Sequence, residues 1–501
     1  MRVYRTKALL SLAVILFIAS ASIASNIIYY VDANSPNAPG SGTYEDPFRK
    51  IQDAINIAVN SDIVEIQPGL YTGPGNYNLD PNGKSITIRS INPNAAANTI
   101  IDLNKAGRGF CFQKNEDANC ILSGLTIRNG YTADSGGGIY CVNSKPLITN
   151  CIITNNTADF YGGGIYCYNA SPKITYCIIR NNSAAYDGGG LQCMGGAPEI
   201  TNCIITNNMA TGMGGGVDFS YPSNPTLTNC TIAGNYADSG GGLSCTDSNV
   251  VIQNSILWQN HANQGTQMAL EPNTVEELTT ISYSNLQGGQ AAVYDPRAGL
   301  IWGSGNINAD PCFASFDPNG DPNLWDFHLQ SAYGRWNPIF YKIDFNNDGT
   351  INLADFAILA NVWLQGGNLS EDIDSNGIIN WMDLELFAQY YLANSHDDGW
   401  LIDASTSPCI DAGDPNSDWT AESWPNGKRI NMGAYGGTNQ ASKNGNPADF
   451  NIDNSVNFAD FAQMANQWLV EQMCIEDLTN DGKVNFADIS IFAENWLWEK
   501  K

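Results

Sequence analysis

Between residues 136 and 260 the apolar positions fall two or three apart in short runs rich in Ile, Tyr, Thr and Leu, separated by Gly, Asn, Pro and Ser. That alternation predicts short β-strands and excludes a helical period. The runs also repeat. GGG stands at 136, 162, 188, 214 and 240, a constant spacing of 26, and two successive units read GGGIYCVNSKPLITNCIITNNTADFY and GGGIYCYNASPKITYCIIRNNSAAYD. A fixed period of this length predicts a solenoid in which each unit is one coil. Aligning the units gives apolar columns: Ile139, Ile165, Leu191, Val217 and Leu243; Ile148, Ile174, Ile200 and Leu227; Ile153, Ile179, Ile205, Ile232 and Leu257. One coil cannot bury its own apolar face, so these columns are the predicted shared core.

Two further columns are cysteine: Cys141, Cys167, Cys193 and Cys245, then Cys151, Cys177, Cys203 and Cys230. Rungs about 4.8 Å apart hold equivalent Cβ atoms farther apart than the roughly 3.8 Å of a disulfide. Stacked buried thiols are therefore expected, packing as small hydrophobes. Asn156, Asn182, Asn208, Asn235 and Asn260 mark the turn after the last apolar column, beside Asn129, Asn155, Asn181 and Asn207. An amide repeated on one turn can bond its equivalents above and below, and Asn tolerates a left-handed backbone. These columns read as scaffold.

The GGGI, Cys, Ile and Asn-Asn repeats resemble a right-handed parallel β-helix of the pectate-lyase-like superfamily. The start of the chain, YYVDANSPNAPGSGTYEDPFRKIQDAINIAVNSDIVEIQPGLYTG, resembles the N-terminal segment of secreted bacterial β-helix proteins, where PFRKIQDAINIA would form a helix capping the open stack. Phe48, Ile51, Ala54, Ile55 and Ala58 suit one face of such a helix independently of the resemblance. SPCIDAGDP through RINMGAYGG resembles the closing segment of the same proteins. The likeness spans residues 26–338 and 399–440.

Charge then separates the chain into regions. Its 501 residues carry 50 Asp and Glu against 23 Lys and Arg, a net charge of -27, which argues against nucleic-acid binding and suits cations. Residues 342–398 and 448–501 hold 20 of those acids and only 4 of the bases. Four stretches there share one register: DFNNDGTINLAD, DIDSNGIINWMD, DFNIDNSVNFAD and DLTNDGKVNFAD. Positions 1, 3, 5, 9 and 12 carry oxygen side chains in each. They are Asp344, Asn346, Asp348, Asn352 and Asp355 in the first loop, and Asp372, Asp374, Asn376, Asn380 and Asp383 in the second. The third has Asp449, Asn451, Asp453, Asn457 and Asp460, and the fourth Asp477, Thr479, Asp481, Asn485 and Asp488. Position 7, which supplies a carbonyl, is Thr350, Ile378, Ser455 or Lys483, and position 6 is Gly or Asn, suiting a sharp turn. This is calcium-loop chemistry, hard oxygen donors around a hard cation, for up to four ions.

Each loop leads into a stretch of helical spacing such as DFAQMANQWL, and no good helix precedes any of them. That departs from an ordinary EF-hand, as does Asp at position 12. The paired, EF-hand-like loop-plus-helix resembles type I dockerins, giving one dockerin-like module inserted at 339–398 and another at 448–501. The resemblance implies calcium-dependent attachment to a cohesin-like protein. Positions 10 and 11 (Leu353 and Ala354, Trp381 and Met382, Phe458 and Ala459, Phe486 and Ala487) are mostly apolar and lack the hydroxyl pairs of well-known cellulosomal dockerins. A calcium-stabilised spacer is the alternative.

The fold class expected is thus mainly β: a parallel β-helix over 26–338 with its closing segment at 399–447, plus two small α-helical modules. MRVYRTKALLSLAVILFIASASIASN has a basic start, an apolar run and small residues, the pattern of a signal peptide over 1–25. Export, with no membrane span after cleavage, is expected; a retained anchor is the alternative. No paired Asp residues on neighbouring rungs and no Gly-His-Gly segment appear in the stack, and Arg128, Lys145, Lys173 and Arg180 are too scattered to assign as a lyase base. Catalytic residues are unknown. Tyr140, Tyr166, Gln192 and Asp218, with Asp134, Asp159, Asp187 and Asp238 in the turns before GGG, are read as solvated surface that could bind sugar rings or an ion. The expectation is an exported protein of polysaccharide binding or breakdown (a lyase or O-glycosyl hydrolase if an enzyme). Its alternative is a non-catalytic surface or scaffold protein.

Overall fold

The computed structural model describes residues 26–37, 39–271, 278–296, 298–318, 320–337, 353–365, 400–453, 455–467, 475–478 and 483–496, together with Ile343, Phe345, Ile373, Ile379, Asp383, Leu384 and Phe387. Residues 1–25, read above as a signal peptide, lie outside these.

Within the repeats each coil contributes one strand to each of three long parallel sheets. In one coil these strands are Leu147–Thr149, Ile152–Thr154 and Ile165–Tyr168. The sheets have eleven, nine and eight strands, and a short four-stranded sheet from Tyr131–Thr132 to Met209–Ala210 runs beside the turn. Register follows the 26-residue period: Ile148 pairs with Ile174, Ile174 with Ile200, and Ile200 with Leu227. The three apolar columns are buried in a single core that also contains the eight column cysteines. Those cysteines are free thiols. Cys177 and Cys203 donate to the carbonyls of Ile148 and Ile174, respectively, so the sulfur column also satisfies main-chain acceptors.

The two asparagine columns divide their labour. Asn155 and Asn181 take the left-handed backbone, with φ of 56° and 57°. Asn156, Asn182, Asn208, Asn235 and Asn260 point inward and are buried. Asn156 Nδ2 donates to Asn182 Oδ1 at 3.0 Å, and the pattern continues to Asn208, Asn235 and Asn260. Each receiving oxygen also accepts the backbone N–H of the preceding column member.

The N-terminal helix is shorter than its sequence suggested, spanning Ile51–Ile57. Phe48 instead bridges Val31 as extended chain, because Lys50 before the helix is also extended. The buried face Ile51, Ala54 and Ile55 joins the solenoid core as expected.

The segment read as closing the stack lies along its side. Cys409, Ile410, Met432 and Ala434 pack with Ile204 and Ile256, outward-facing residues of the nine-stranded sheet. Asn202 Nδ2 donates to the carbonyls of Ala434 and Gly436 at 2.9 and 2.8 Å. The apolar doublets of that sheet explain the placement: Ile205 faces the core and Ile204 faces this second layer, so both sides need cover. Arg335–Trp336 pairs antiparallel with Trp400–Leu401, so the chain before and after the first acidic stretch runs side by side there.

Helices Leu353–Asn361, Phe458–Asn466 and Phe486–Glu494 follow the acidic loops. The last two share a small core of Ala448, Phe450, Val456, Met464, Val484 and Phe492, against which Trp424 of the lateral segment packs.

Candidate functional site

The third acidic loop is described at every position but 454, and it folds back on itself. Asp449, Asp453 and Asp460 each offer a carboxylate oxygen, and these oxygens lie within 4.8 Å of one another. Asp449 and Asp460 are buried while Asp453 is exposed. Backbone geometry holds them there. The Asp453 N–H donates to Asp449 Oδ1 at 3.1 Å and to Asn451 Oδ1 at 2.8 Å. The Asn451 N–H donates to Asp460 Oδ1 at 3.2 Å.

The helix start fixes the far side of the loop. Asn457 is the N-cap of Phe458–Asn466, accepting from the Ala459 N–H, while Asp460 Oδ2 accepts the Asn457 N–H at 2.9 Å. Asn485 and Asp488 repeat this capping box before Phe486–Glu494. Positions 9 and 12 therefore serve the helix as well as the loop, a double use that the N-x-x-D spacing signals.

Three carboxylates this close repel one another when ionised, and a bound cation offsets that repulsion. The Ser455 hydroxyl and backbone, with Asn451 and Asn457, donate to Asp453 and hold its carboxyl below the usual range, favouring the charged form a metal needs. All donors are hard oxygens, with the Ser455 carbonyl at position 7, and this set fits calcium better than a softer ion.

The other loops are described in part. Asp355 and Asp383 at position 12 are fully buried, and Asp383 Oδ1 accepts the Ile373 N–H at 2.7 Å. In the fourth loop Asp477 and Asp488 are buried, with Lys483 exposed and Asn485 on the helix cap. All four position-12 carboxylates are thus buried. Asp344, Asn346, Asp348, Thr350, Asn352, Asp372, Asp374, Asn376, Ile378, Asn380, Thr479 and Asp481 lie outside the described residues.

On the solenoid, the strip read as solvated surface is only partly so. Tyr140 and Tyr166 stack at 5.6 Å, with the Arg108 guanidinium 4.6 Å over Tyr140. Phe160 and Tyr186, both exposed, stack nearly parallel at 5.5 Å. Gln192 and Asp218, however, are buried, because the glycine turns fold over them. A Cβ on Gly214 would sit 2.7 Å from Asp218 Cβ, and its φ of +64° is one that glycine tolerates.

The turn acids have local structural partners: Asp134 pairs with Arg108, Asp159 accepts from the Tyr131 hydroxyl, Asp187 from the Met213 N–H and Asp238 from Asn263. Of the scattered bases, Arg128 pairs with Asp102 and Lys173 with Glu199, while Lys145 is exposed. Burial lowers the Arg180 pKa.

Residues 59–214 match the family described as Right handed beta helix region. The match covers the coils up to the fourth GGG turn, so this part of the chain is a right-handed parallel β-helix. No curated protein matches the chain. Among solved structures, pectate lyase Pel9A is similar at 13% identity and TM-score 0.41, covering 82% of this chain and 97% of its own. A rhamnogalacturonan lyase follows at 14% identity and TM-score 0.31, covering 60% and 94%, and a pectin methylesterase from carrot at 14% and 0.27, covering 58% and 90%.

Proposed function

We propose that this is an exported, calcium-binding β-helix protein of extracellular polysaccharide binding or breakdown, attached through its dockerin-like loop–helix units to a protein partner of the cohesin kind. The observation that carries the calcium reading is the convergence of Asp449, Asp453 and Asp460 at the start of a helix capped by the same loop. In this reading the ion neutralises the carboxylates and fixes the Phe458–Asn466 helix against its partner helix.

Phe458 and Phe486, at position 10 of their loops, are 77% and 78% exposed. Two large apolar side chains so exposed at equivalent helix starts suit a docking contact that exists only when both loops are ordered. Carbohydrate association rests on the resemblance of the repeats and on the exposed aromatic stack of Phe160 and Tyr186, since sugar rings pack on aromatic faces.

Isothermal titration of the full chain with calcium, beside depolymerisation assays on acidic glycans with and without EGTA, tests the reading. Saturable calcium binding that weakens in Asp460→Asn supports the metal assignment, and unchanged heats in that variant refute it. A second reading, a rigid non-catalytic spacer, is favoured by the engagement of the turn acids in local contacts. Absence of both glycan turnover and glycan binding would decide for it.

A further inference from the structure

Gln192, Asp218 and Ser244 hold equivalent positions on three successive strands of the eight-stranded sheet. They point away from the apolar core, yet all three are buried. Gln192 Nε2 donates to Asp218 Oδ2 at 2.6 Å and to Ser220 Oγ at 2.8 Å. The other oxygen of each group, Gln192 Oε1 and Asp218 Oδ1, has no hydrogen-bond partner, and the Ser244 hydroxyl adjoins the same carboxyl.

With Asp218 ionised, the Ser220 and Ser244 hydroxyls beside it serve the carboxylate, but Gln192 Oε1 is left without a donor. Both oxygens of a carboxylate only accept, and Gln192 Oε1 only accepts. The groups facing Asp218 bring no positive charge. Asp187, on the turn above, has the same sign; Tyr161 stands beside it; and the thiols of Cys193 and Cys245 lie on the neighbouring strands. No lysine or arginine forms an ion pair with Asp187 or Asp218 among the described residues.

We propose that Asp218 is held as a neutral carboxylic acid whose proton closes a two-bond amide–acid pair with Gln192, and that loss of this proton releases the glycine turn above it. Protonation of Oδ1 turns an orphaned acceptor into a donor, which is what the orphaned Gln192 Oε1 lacks. One proton then resolves two unpaired groups, while no solvent-accessible space adjoins these atoms to admit a bridging water. Burial, and secondarily the Asp187 carboxyl, push the Asp218 pKa up to about 7, so the acid form persists near neutrality.

The element that responds is the turn over Asp218. The Met213 N–H is tied to Asp187 Oδ1 at 2.7 Å, and Gly214 rests on Asp218. Ionising Asp218 places two like charges against each other beneath that turn. The sign is that of a raised carboxyl pKa: the stabilising contribution is complete below about pH 4, declines as pH rises, and is lost through about pH 7.

Asp218→Asn is the informative variant, because an asparagine amide both donates to and accepts from Gln192 at every pH. Urea unfolding and hydrogen exchange of residues 211–216 would be followed in the full chain from pH 5 to 8. The wild-type unfolding constant is expected to rise relative to the variant by up to about tenfold per pH unit. Exchange in the turn, corrected for its intrinsic pH dependence, accelerates only in the wild type. Identical pH dependence in the two proteins overturns the proposal. If the variant does not fold, infrared spectra of wild type labelled with ¹³C-aspartate decide: a protonated aspartic carbonyl band at pH 6 upholds the neutral acid, and its absence overturns it.

Discussion

The solenoid and the C-terminal loop–helix unit bury polar groups by opposite means. Along the solenoid turn, Asn156 through Asn260 are neutral amides whose donors and acceptors match from rung to rung, so nothing external is required. In the loop at 449–460, carboxylates converge with one another, and in the calcium reading proposed above a cation offsets their mutual repulsion. The cores differ in the same sense. The solenoid core is one continuous cluster from Val31 to Leu286, whereas the unit, among the described residues, gathers its two nine-residue helices around a small separate cluster. Repetition supplies stability in the first region, and in the calcium reading proposed above an ion supplies it in the second.

Calcium removal is the broadest way to break that comparison. EGTA at neutral pH should abolish hydrogen-exchange protection in Phe458–Asn466 and Phe486–Glu494 while leaving strands such as Ile165–Tyr168 and Ile178–Arg180 unchanged. Protection that survives in both helices removes the ion from the account.

The complementary test disrupts the ladder. Asn182→Ala removes the acceptor of two Asn156 N–H groups and the donor to Ile153 O and Asn208 Oδ1, all buried. Unpaired buried groups cost about 1–3 kcal/mol each, with partial relaxation, so a loss of roughly 3–5 kcal/mol in urea unfolding is expected. EGTA should not change that loss. A cost below about 1 kcal/mol would mean that the ladder is ornament to the apolar columns.

Legibility in the sequence followed the same division. The apolar, cysteine and asparagine columns were readable because rung spacing sets residue i on residue i+26, and Ile139 does pair with Ile165 and Cys141 with Cys167. What the repeat could not convey was what lies outside the coil. Ile204 and Ile256 were visible as the outer halves of apolar doublets, but only the fold shows residues 409–434 covering them. Gln192 and Asp218 alternate with core residues and so looked solvated. Their burial comes from the first glycine of each GGG, which lies over the side chain four residues later. In the third acidic loop the register named Asp449, Asp453 and Asp460, whose carboxylates converge, while the capping role of Asn457 and Asp460 is written in the same letters and is not part of that register.

A smaller, pH-dependent effect belongs to the lateral segment that joins the two regions. Burial pushes the Glu422 pKa up to about 7. Its Oε1 accepts the N–H groups of Asn431 and Gly437 at 2.8 and 2.7 Å, and its Oε2 has no partner. Because the folded pKa is raised, Glu422 contributes fully below about pH 4 and loses that contribution as pH climbs through about 7. Glu422→Gln keeps an oxygen for both N–H groups and cannot ionise. Its urea midpoint, read from tryptophan fluorescence with Trp424 two residues away, should fall less than wild type between pH 5 and 8. Combining it with Asp218→Asn separates the two carboxyls, and equal slopes with and without Glu422→Gln would exclude this one.

The smallest effect sharpens the comparison inside the solenoid, by separating its two asparagine columns. Asn155 is exposed and sits at φ of 56°, whereas the adjacent Asn156 is buried in the ladder. The first is there for its backbone and the second for its amide. Asn155→Gly, which suits a left-handed backbone, should therefore leave stability within a few tenths of a kcal/mol, while Asn155→Ala should cost about 1 kcal/mol for forcing a Cβ into that region. At Asn156 the order of magnitudes changes: Gly and Ala should both be costly, because either one deletes the amide that bonds Asn182 and Ile127. Urea midpoints of the four variants measure this directly. If glycine rescues position 156 as it does 155, the amide ladder contributes no more than turn geometry, and the contrast drawn with the carboxylate cluster fails at its neutral end.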